Sequence, residues 1–388
     1  MKWKNKGQEY EKYNSYFADK KILIYGAGSK GKYLFEKLKA LDCVEAFIDN
    51  APEYLNSEFC GKKVIRYRDL KEDYSEKCII VIAAKMEYTL EFVIQCRKAG
   101  FVDGYTLFYW EDFLRYYLDI YSLYHNGKVC ADFISLQVSS LCNLRCKGCL
   151  AFIPQDKHMH HFSLEDIKKN VDAVFSNIDY IRTLDLCGGE PFCSPVFKDA
   201  IEYVGANYGD RIENLRTVTN GTVIPSDELC DIMSKNRMTV LLDDYRDYVE
   251  LSKKNFDQVY KKLLEHMVDV IVNKVENWIN LGIEEGEKIK DENKIIRQFD
   301  ECNNTRFAII NMKLYACDFA AFASQSMVYP DCNCEYLNLG IKYSKQIVLE
   351  FLKGYTDSGS SGMCSFCNGG LGINKCFIGV ATQIDGRN

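Results

Sequence analysis

Three thiols stand in one short loop: Cys142, Cys146 and Cys149 in "SSLCNLRCKGCLAF", spaced C-x3-C-x2-C. Clustered cysteines in a reducing compartment read as metal-binding or catalytic, not as a disulfide framework. A structural zinc site closes its shell with four ligands. A [4Fe–4S] cluster has four irons and commonly four thiolates. Three thiolates leave one iron without a protein ligand, and an open coordination position is what makes a metal site catalytic. A second set follows far along the chain. Cys302 and Cys317 are spaced C-x14-C, and Cys364 and Cys367 form "CSFC". Their C-x2-C element suits zinc as well as an iron–sulfur cluster. Cys332 and Cys334, in "PDCNCEY", have a C-x-C spacing that is awkward for the same metal and are expected to be thiols outside the set.

These loops need strands to hold them. "FISLQVSS", Phe133 to Ser140, alternates apolar and polar residues and predicts a strand leading into the first cysteine loop. "TLDLCGGEPF" is an apolar strand ending in Gly188, Gly189, Glu190 and Pro191. Two glycines there would let backbone approach a ligand closely. "LRTVTNGT" predicts a strand ending at Asn220, and "TVLLDDY" one ending at Asp243 and Asp244. "VDVIVNKV" predicts a fifth. Each motif alone reads as an ordinary turn. Together they lie at the C-terminal ends of successive strands, where barrel enzymes keep their sites.

The C-x3-C-x2-C loop after a first strand, with GGEP after the second, resembles the radical SAM superfamily. The resemblance covers about residues 130–280. It implies a partial (β/α)6 TIM-like barrel whose cluster, held by Cys142, Cys146 and Cys149, leaves its fourth iron to the amino and carboxylate groups of S-adenosylmethionine. Gly188, Gly189, Glu190, Pro191, Asn220 and Asp243 or Asp244 would bind that molecule. Glu190 would accept a charge-assisted bond from its ammonium. The family commonly has a serine before the Asp-Tyr pair, so Asp243 is a departure. The second set resembles the auxiliary-cluster "twitch" domain of some radical SAM enzymes, among them an aminocyclitol dehydrogenase. That implies a second [4Fe–4S] cluster on Cys302, Cys317, Cys364 and Cys367. The longer SPASM pattern needs a cysteine about six residues after Cys367, whereas Cys376 is nine on. Cys187, Cys193 and Cys376 are candidate hydrogen-atom donors to a substrate radical, against the reading as small core residues. "KHMHH", Lys157 to His161, would meet a substrate phosphate or form a solvated loop before an N-cap at Ser163 in "SLED".

Ahead of this core, Ile22 to Tyr25 predicts a strand running into Gly26, Gly28 and Gly31. A helix with apolar Tyr33, Leu34, Leu38 and Leu41 follows, then a strand from Val44 to Ile48 that ends in Asp49. This is G-x-G-x-x-G between strand and helix with an acid about 20 residues on, a pattern that binds anionic phosphate at a helix N-terminus. "CIIVIAA" predicts a buried strand and "EYTLEFVIQCRKAG" the helix after it. The segment resembles the N-terminal domain of acetyltransferases that modify nucleotide-linked amino sugars. That implies a nucleotide or nucleotide sugar on Gly26, Gly28, Gly31 and Asp49. The alternative is a Rossmann-like domain without a ligand.

The expected architecture is α/β in several parts. A Rossmann-like doubly wound domain spans 18–108, and an aromatic connecting helix spans 109–130. The radical SAM core spans 131–295. A small β-hairpin and helix domain for the auxiliary cluster spans 296–388. A chain of 388 residues needs more than one domain. Net charge −6 gives no polyanion-binding surface, so nucleic acid is not expected as a partner. No run approaches the roughly 18 apolar residues of a membrane span, and the polar N-terminus is unlike a signal peptide. The expected location is the cytoplasm, with flavodoxin or ferredoxin as electron donor. Scattered Cys43, Cys60, Cys78, Cys96, Cys130 and Cys230 are expected as small buried hydrophobes.

The expected substrate is a sugar, nucleotide-linked or part of a larger glycoconjugate, that is either epimerised or dehydrogenated. The rival expectations are a peptide maturase and a noncatalytic iron–sulfur or zinc protein.

Overall fold

The computed structural model describes residues 8–54, 57–70, 74–156, 162–330, 335–356 and 358–384. Lys157 to His161, Cys332 and Cys334 lie outside them. The chain divides into two compact units, Asn5–Val129 and Cys130–Asn388. It is a mixed α/β protein built on parallel sheets.

In the first unit, α1 (Gln8–Phe17) precedes β1 (Lys21–Tyr25), α2 (Ser29–Leu38), β2 (Val44–Ile48), β3 (Glu58–Phe59) and β4 (Lys62–Ile65). Then come the single turn α3 (Tyr74–Lys77), β5 (Cys78–Ile82), α4 (Met86–Lys98) and β6 (Leu107–Tyr109). The short α5 (Trp110–Asp112) and α6 (Leu118–Asn126) close it. The sheet order is β3-β4-β2-β1-β5-β6, and only the β3–β4 pair is antiparallel. Strand order reverses at β1, the topological switch point where α/β sheets open a crevice. The continuous apolar runs of β1 and β5 are buried on both faces, as central parallel strands must be. In α2 the buried face is Gly31, Leu34, Phe35 and Leu38, while Tyr33 is 50% exposed.

The segment expected at 109–130 as a connecting helix is helical from Trp110 to Asn126 but belongs to the first unit. Leu107–Tyr109 pairs with β5 as an edge strand. The helix after it packs inside this same unit: Tyr117 and Tyr121 meet Tyr13 and Phe17 of α1 at ring centroid distances of 5.6 and 5.4 Å. The aromatic stripe is a core, not a base-stacking surface.

The second unit alternates strand and helix. β7 (Cys130–Ser139), α7 (Leu164–Asn177), β8 (Tyr180–Gly188), α8 (Phe197–Tyr208) and β9 (Ile212–Thr219) come first. α9 (Asp227–Lys235), β10 (Thr239–Asp244), α10 (Glu250–Glu265), β11 (Asp269–Lys274) and the short β12 (Trp278–Ile279) follow. Then come α11 (Glu292–Glu301), β13 (Phe307–Ile310), β14 (Lys313–Tyr315), α12 (Asp318–Gln325), β15 (Tyr336–Asn338), α13 (Lys345–Leu352) and β16 (Phe377–Ile378). Ser163 caps α7 in a capping box with Asp166, as "SLED" predicts.

The eight-stranded sheet runs β11-β10-β9-β8-β7-β13-β14-β15. From β11 to β13 every neighbouring pair is parallel. The sixth parallel strand is therefore β13, and it lies beside β7 instead of following β11. The stretch between Cys302 and Cys317 reads as a β-hairpin turning near Met312–Lys313; that hairpin is part of the barrel sheet, so a boundary at 295/296 cuts through one sheet. Its turn is Asn311–Met312, both with positive φ, one residue earlier than expected. That left-handed pair is what a tight two-residue hairpin needs.

β7 to β10 alternate in a telling way. Ile134, Leu136, Val138, Leu184, Leu186, Val240 and Leu242 form an apolar face and are almost fully buried. The opposite face carries Ser135, Gln137, Asp185, Cys187, Arg216 and Asp243. A filled barrel packs its interior with branched apolar residues. A polar interior is an interior for a ligand.

Among the described residues no helix is long and apolar enough to cross a membrane. Of the scattered cysteines, Cys43, Cys78, Cys96, Cys130 and Cys230 are buried, and Cys60 is half-buried in a turn with φ 53°.

Candidate active site

The cysteine loop begins where β7 ends, at Ser139, and the end of β8 is drawn tightly onto it. Gly189 N donates to Ser139 O at 3.0 Å, and Glu190 N donates to Leu141 O at 2.7 Å. A Cβ on Gly188 would stand 2.1 Å from Ser139 O, and one on Gly189 would stand 2.2 Å from Leu141 O. The close approach these glycines permit is therefore to the backbone of the cysteine loop. GGEP is what seats the loop.

Glu190 is 0% exposed. Its carboxylate accepts from Phe192 N at 3.1 Å, Thr219 Oγ1 at 2.8 Å and Asn220 N at 2.8 Å. Burial raises its pKa to about 7, offset in part by those donors. It ties the ends of β8 and β9 together. Asn220 in turn donates through Nδ2 to Asn143 Oδ1 at 3.1 Å and points the same nitrogen at Cys142 Sγ, 3.9 Å away. Asn143 donates to Thr222 Oγ1 at 2.7 Å. Loop and strand ends form one polar network.

The other flank of the loop is held from far along the chain. Thr382 to Ile384 lie against it as a short antiparallel bridge. Lys147 N donates to Thr382 O at 2.7 Å and Ile384 N to Arg145 O at 2.9 Å. Gln383 accepts from Arg145 N at 2.7 Å and donates through Nε2 to Cys146 Sγ at 3.2 Å. Leu144, Cys146, Tyr245, Val249, Val380 and Ala381 pack as an apolar cluster behind it. Cys149 takes backbone N–H contacts from Ala151, Phe152 and Ile153, and lines a cavity of about 640 Å³ with Phe152, Leu281 and Gln383. Donors aimed at sulfur favour thiolate, the form that binds metal.

At β10 the two acids separate. Asp244 faces Arg246, which bonds both its oxygens at 2.9 and 2.8 Å and also reaches Asp257. It is spoken for. Asp243 turns inward, where burial raises its pKa. It accepts from Asn273 Nδ2 at 2.7 Å and Tyr245 OH at 2.8 Å. Only Asp243 is placed to meet a ligand in the barrel.

Cys302, Cys317, Cys364 and Cys367 come together, lining one cavity with Gly369 and Gly370. Gln298 Nε2 donates to Cys364 O at 2.9 Å and Cys367 O at 2.7 Å, which clamps the C-x2-C turn. Gly369 N points at Cys367 Sγ, 3.2 Å away, and Asn304 Nδ2 at Cys317 Sγ, 3.4 Å away. A Cβ on Gly370 would stand 3.2 Å from Cys302 Sγ. Among the described residues no three His, Cys, Asp or Glu side chains converge as the ligands of a single ion do. Thiols that ring one cavity are suited by type to a polynuclear cluster or to one zinc ion, whose sulfur ligands sit about 2.3 Å from it.

Between the two thiol sets runs a polar column. Asp243 has Arg216 and Asp185 as electrostatic neighbours, and Cys187 has Asp185, Asp318, Arg216 and Ser135. Asn304 donates to Asp318 Oδ1 at 2.8 Å as well as facing Cys317. Of the proposed hydrogen donors, Cys187 faces this interior. Cys193 is half-buried beside Asn143 and Glu190. Cys376 is exposed, with its backbone bonded to Asn280 and Asn374, and that assignment is corrected. Sequence reasoning missed Gln137, Asp185, Arg216, Asp318 and Gln383. The first three had a legible signal: polar residues alternating on strands that parallel packing would otherwise make apolar.

In the first unit, Gly26 (φ +120°) brings the turn against Ala83 O, and a Cβ on Gly31 would stand 1.9 Å from Gly26 O. Gly28 faces open space. Asp49 accepts from Ala27 N and Ala51 N, each at 2.9 Å, so its carboxylate braces the glycine turn.

A parallel barrel sheet with three thiols after its first strand defines the class, and residues 136–304 match the Radical SAM superfamily model. No curated protein matches the chain. Among solved structures it is similar to BtrN in complex with AdoMet and 2-DOIA, at 14% identity and TM-score 0.41, over 66% of this chain and 97% of that one. It is also similar to native anSMEcpe with bound AdoMet and Cp18Cys peptide, at 18% identity and TM-score 0.29, over 36% and 42%. Streptococcus suis SuiB bound to S-adenosylmethionine is similar at 14% identity and TM-score 0.32, over 55% and 48%. The chain spans less than half the length of the last two.

One prediction arises from Glu190. A buried carboxyl with a raised pKa lends stability below its unfolded pKa of 4.5 and loses it as pH rises through about 7. The Glu190→Gln variant lacks that loss. It also turns an amide N–H₂ towards Asn220 N and leaves a buried donor unpaired, at about 1–3 kcal/mol. The variant is expected to melt below the parent at about pH 5, with the gap shrinking by about 2–3 kcal/mol and so closing or reversing by about pH 8. Thermal unfolding at the two pH values checks this, and a gap that widens with pH would contradict it.

Proposed function

We propose that the protein is a radical SAM enzyme that takes a hydrogen atom from a carbon of a sugar or nucleotide-linked sugar, and that dehydrogenation is its outcome. Cys142, Cys146 and Cys149 would hold a [4Fe–4S] cluster with S-adenosylmethionine on its open iron, and Cys302, Cys317, Cys364 and Cys367 would hold a second. Bound there, the first supplies the electron that cleaves S-adenosylmethionine and the second an acceptor for the electron left on the substrate. The chain's own part is orientation and exclusion of water. Asn220 and inward-facing Asp243 line the mouth for S-adenosylmethionine, and the buried Glu190 keeps that mouth in shape.

The observation that carries this reading is the polar column between the two thiol sets, through Asp243, Asp185, Arg216, Cys187 and Asp318. A substrate lodged there has one set on either side. Epimerisation is the second reading, favoured by Cys187 alone, a thiol facing the chamber within reach of Ser135. Taken by itself, the first unit would bind a nucleotide or nucleotide sugar at Gly26, Gly28, Gly31 and Asp49, with Gly28 leaving the entry to α2 open. A cytoplasmic location and a flavodoxin or ferredoxin donor belong to the same proposal.

The test is anaerobic. Reduced, cluster-reconstituted protein is mixed with S-adenosylmethionine and a panel of nucleotide sugars, free amino sugars and peptides in deuterated water, and products are read by mass spectrometry. A sugar that stimulates 5′-deoxyadenosine and loses two mass units supports dehydrogenation. One that gains a deuterium supports epimerisation through Cys187. Stimulation by peptides alone would remove the sugar reading.

A further inference from the structure

On β7, β8 and β9 the interior face carries a group of polar side chains that the thiol sites do not use. Ser135, Asp185 and Arg216 stand level across the three strands, and Gln137 stands one step up, level with Cys187. Gln137 is 2% exposed, and its Oε1 is a buried acceptor without a hydrogen-bond partner. Native proteins rarely leave such an atom unpaired, because it forfeits the hydrogen bond it had in water. Arg216 spends Nε on Asp185 Oδ1 at 3.0 Å and lays its guanidinium 4.9 Å from the Phe133 ring. Its terminal nitrogens make no hydrogen bond among the described residues, and Asp185 Oδ2 is likewise open. Partner-seeking acceptors and a partner-seeking donor thus stand on two adjacent levels of one sheet face.

We propose that Gln137, Asp185 and Arg216 form a substrate subsite for adjacent hydroxyl groups of an uncharged or amine-bearing polyhydroxylated ring. This rests on the proposed reading of the chamber as the substrate site. A hydroxyl both donates and accepts, so a vicinal pair satisfies the three side chains at once: protons to Gln137 Oε1 and Asp185 Oδ2, and an oxygen to an Arg216 N–H. Fully ionised phosphate and carboxylate have no proton to give and would leave Gln137 Oε1 unpaired. They would also face the carboxylates of Asp185, Asp243 and Asp318, against which stand only Arg216 and Arg306. The Arg216 and Arg306 guanidiniums lie 4.9 and 5.2 Å from the Phe133 ring centre, which anchors both at the foot of this group. The reacting end of the substrate is therefore the sugar ring, and any phosphate it bears lies away from these levels.

Equilibrium binding to unreduced holoenzyme saturated with S-adenosylmethionine tests this apart from turnover. The probes are glucosamine, myo-inositol, UDP-N-acetylglucosamine and glucose 6-phosphate. Variants are Gln137→Leu, Asp185→Asn and Arg216→Lys, each checked for iron content and S-adenosylmethionine affinity. A probe that binds the parent is expected to weaken about tenfold or more in each variant, the loss of one buried hydrogen bond. Singly deoxygenated forms of that probe make a double-mutant cycle: one of them should lose affinity for the parent yet lose nothing further in Gln137→Leu. Full affinity in all three variants, with iron intact, overturns the subsite and leaves the wider reading standing. Tightest binding by a ligand whose anionic group is essential also overturns it. If no hydroxylated probe binds while a peptide does, the subsite and the sugar reading fall together.

Discussion

Replacing Cys142 with alanine is expected to abolish 5′-deoxyadenosine formation, a fall of at least about a thousandfold. It should also cut iron from about eight atoms per chain to about four. Burial pushes the Cys142 thiol well up, and the nearby Glu190, Cys149 and Cys146 add to the shift. Such a group gives up its proton to a metal, whose charge outweighs burial. Asn220 approaches the Cys142 sulfur only through an amide nitrogen, and Glu190 is committed to Phe192, Thr219 and Asn220. The fold should survive, because the loop stays bonded through Gly189 and Glu190 on one flank and Gln383 on the other. Iron analysis, electron paramagnetic resonance of the reduced protein and chromatography of the nucleoside check the three parts. Unchanged iron with unchanged cleavage would remove the cysteine loop from the chemistry.

Changing Cys364 and Cys367 to alanine together is the second large effect. Iron should again fall by about half, and the oxidised sugar product should disappear, while S-adenosylmethionine still binds. The two thiols share a cavity with Cys302 and Cys317, and their backbone carbonyls are clamped by Gln298. Loss of a cluster there would open that cavity and lower the melting temperature of the unit, as removal of a bound metal group does. Zinc analysis discriminates the alternative. Stoichiometric zinc in the parent that vanishes in the double variant, with iron unchanged, would make the site structural and take away the electron acceptor on which dehydrogenation depends.

Much of this architecture could be read in advance because its causes are local. Cys142, Cys146 and Cys149 need only a short loop. Gly188-Gly189 and Asn220 close strands whose apolar runs are visible, and Ser163 with Asp166 writes its own helix start. The aromatic segment misled because strand β6 is only three residues long and its apolar run continues into a helix. Cys376 misled because a cysteine's type says nothing about which way it faces; it stands exposed beside the two-stranded β12–β16 pair. The two acids of "LLDD" could not be told apart until pleating sent one outward to Arg246 and the other inward.

The sequence by itself determined where the two sets of thiols stand, because residue type and spacing are properties of a few neighbouring residues. It determined the parallel strands as well, because their period is local. Tertiary structure alone decided which residues complete the site. Gln383 reaches Cys146 across 237 positions, and Asp185 meets Arg216 across 31. β13 enters the barrel beside β7 and not after β11. Contacts of that range depend on which strands pair and in what register, which is set by the packing of the whole unit and by no short stretch of chain.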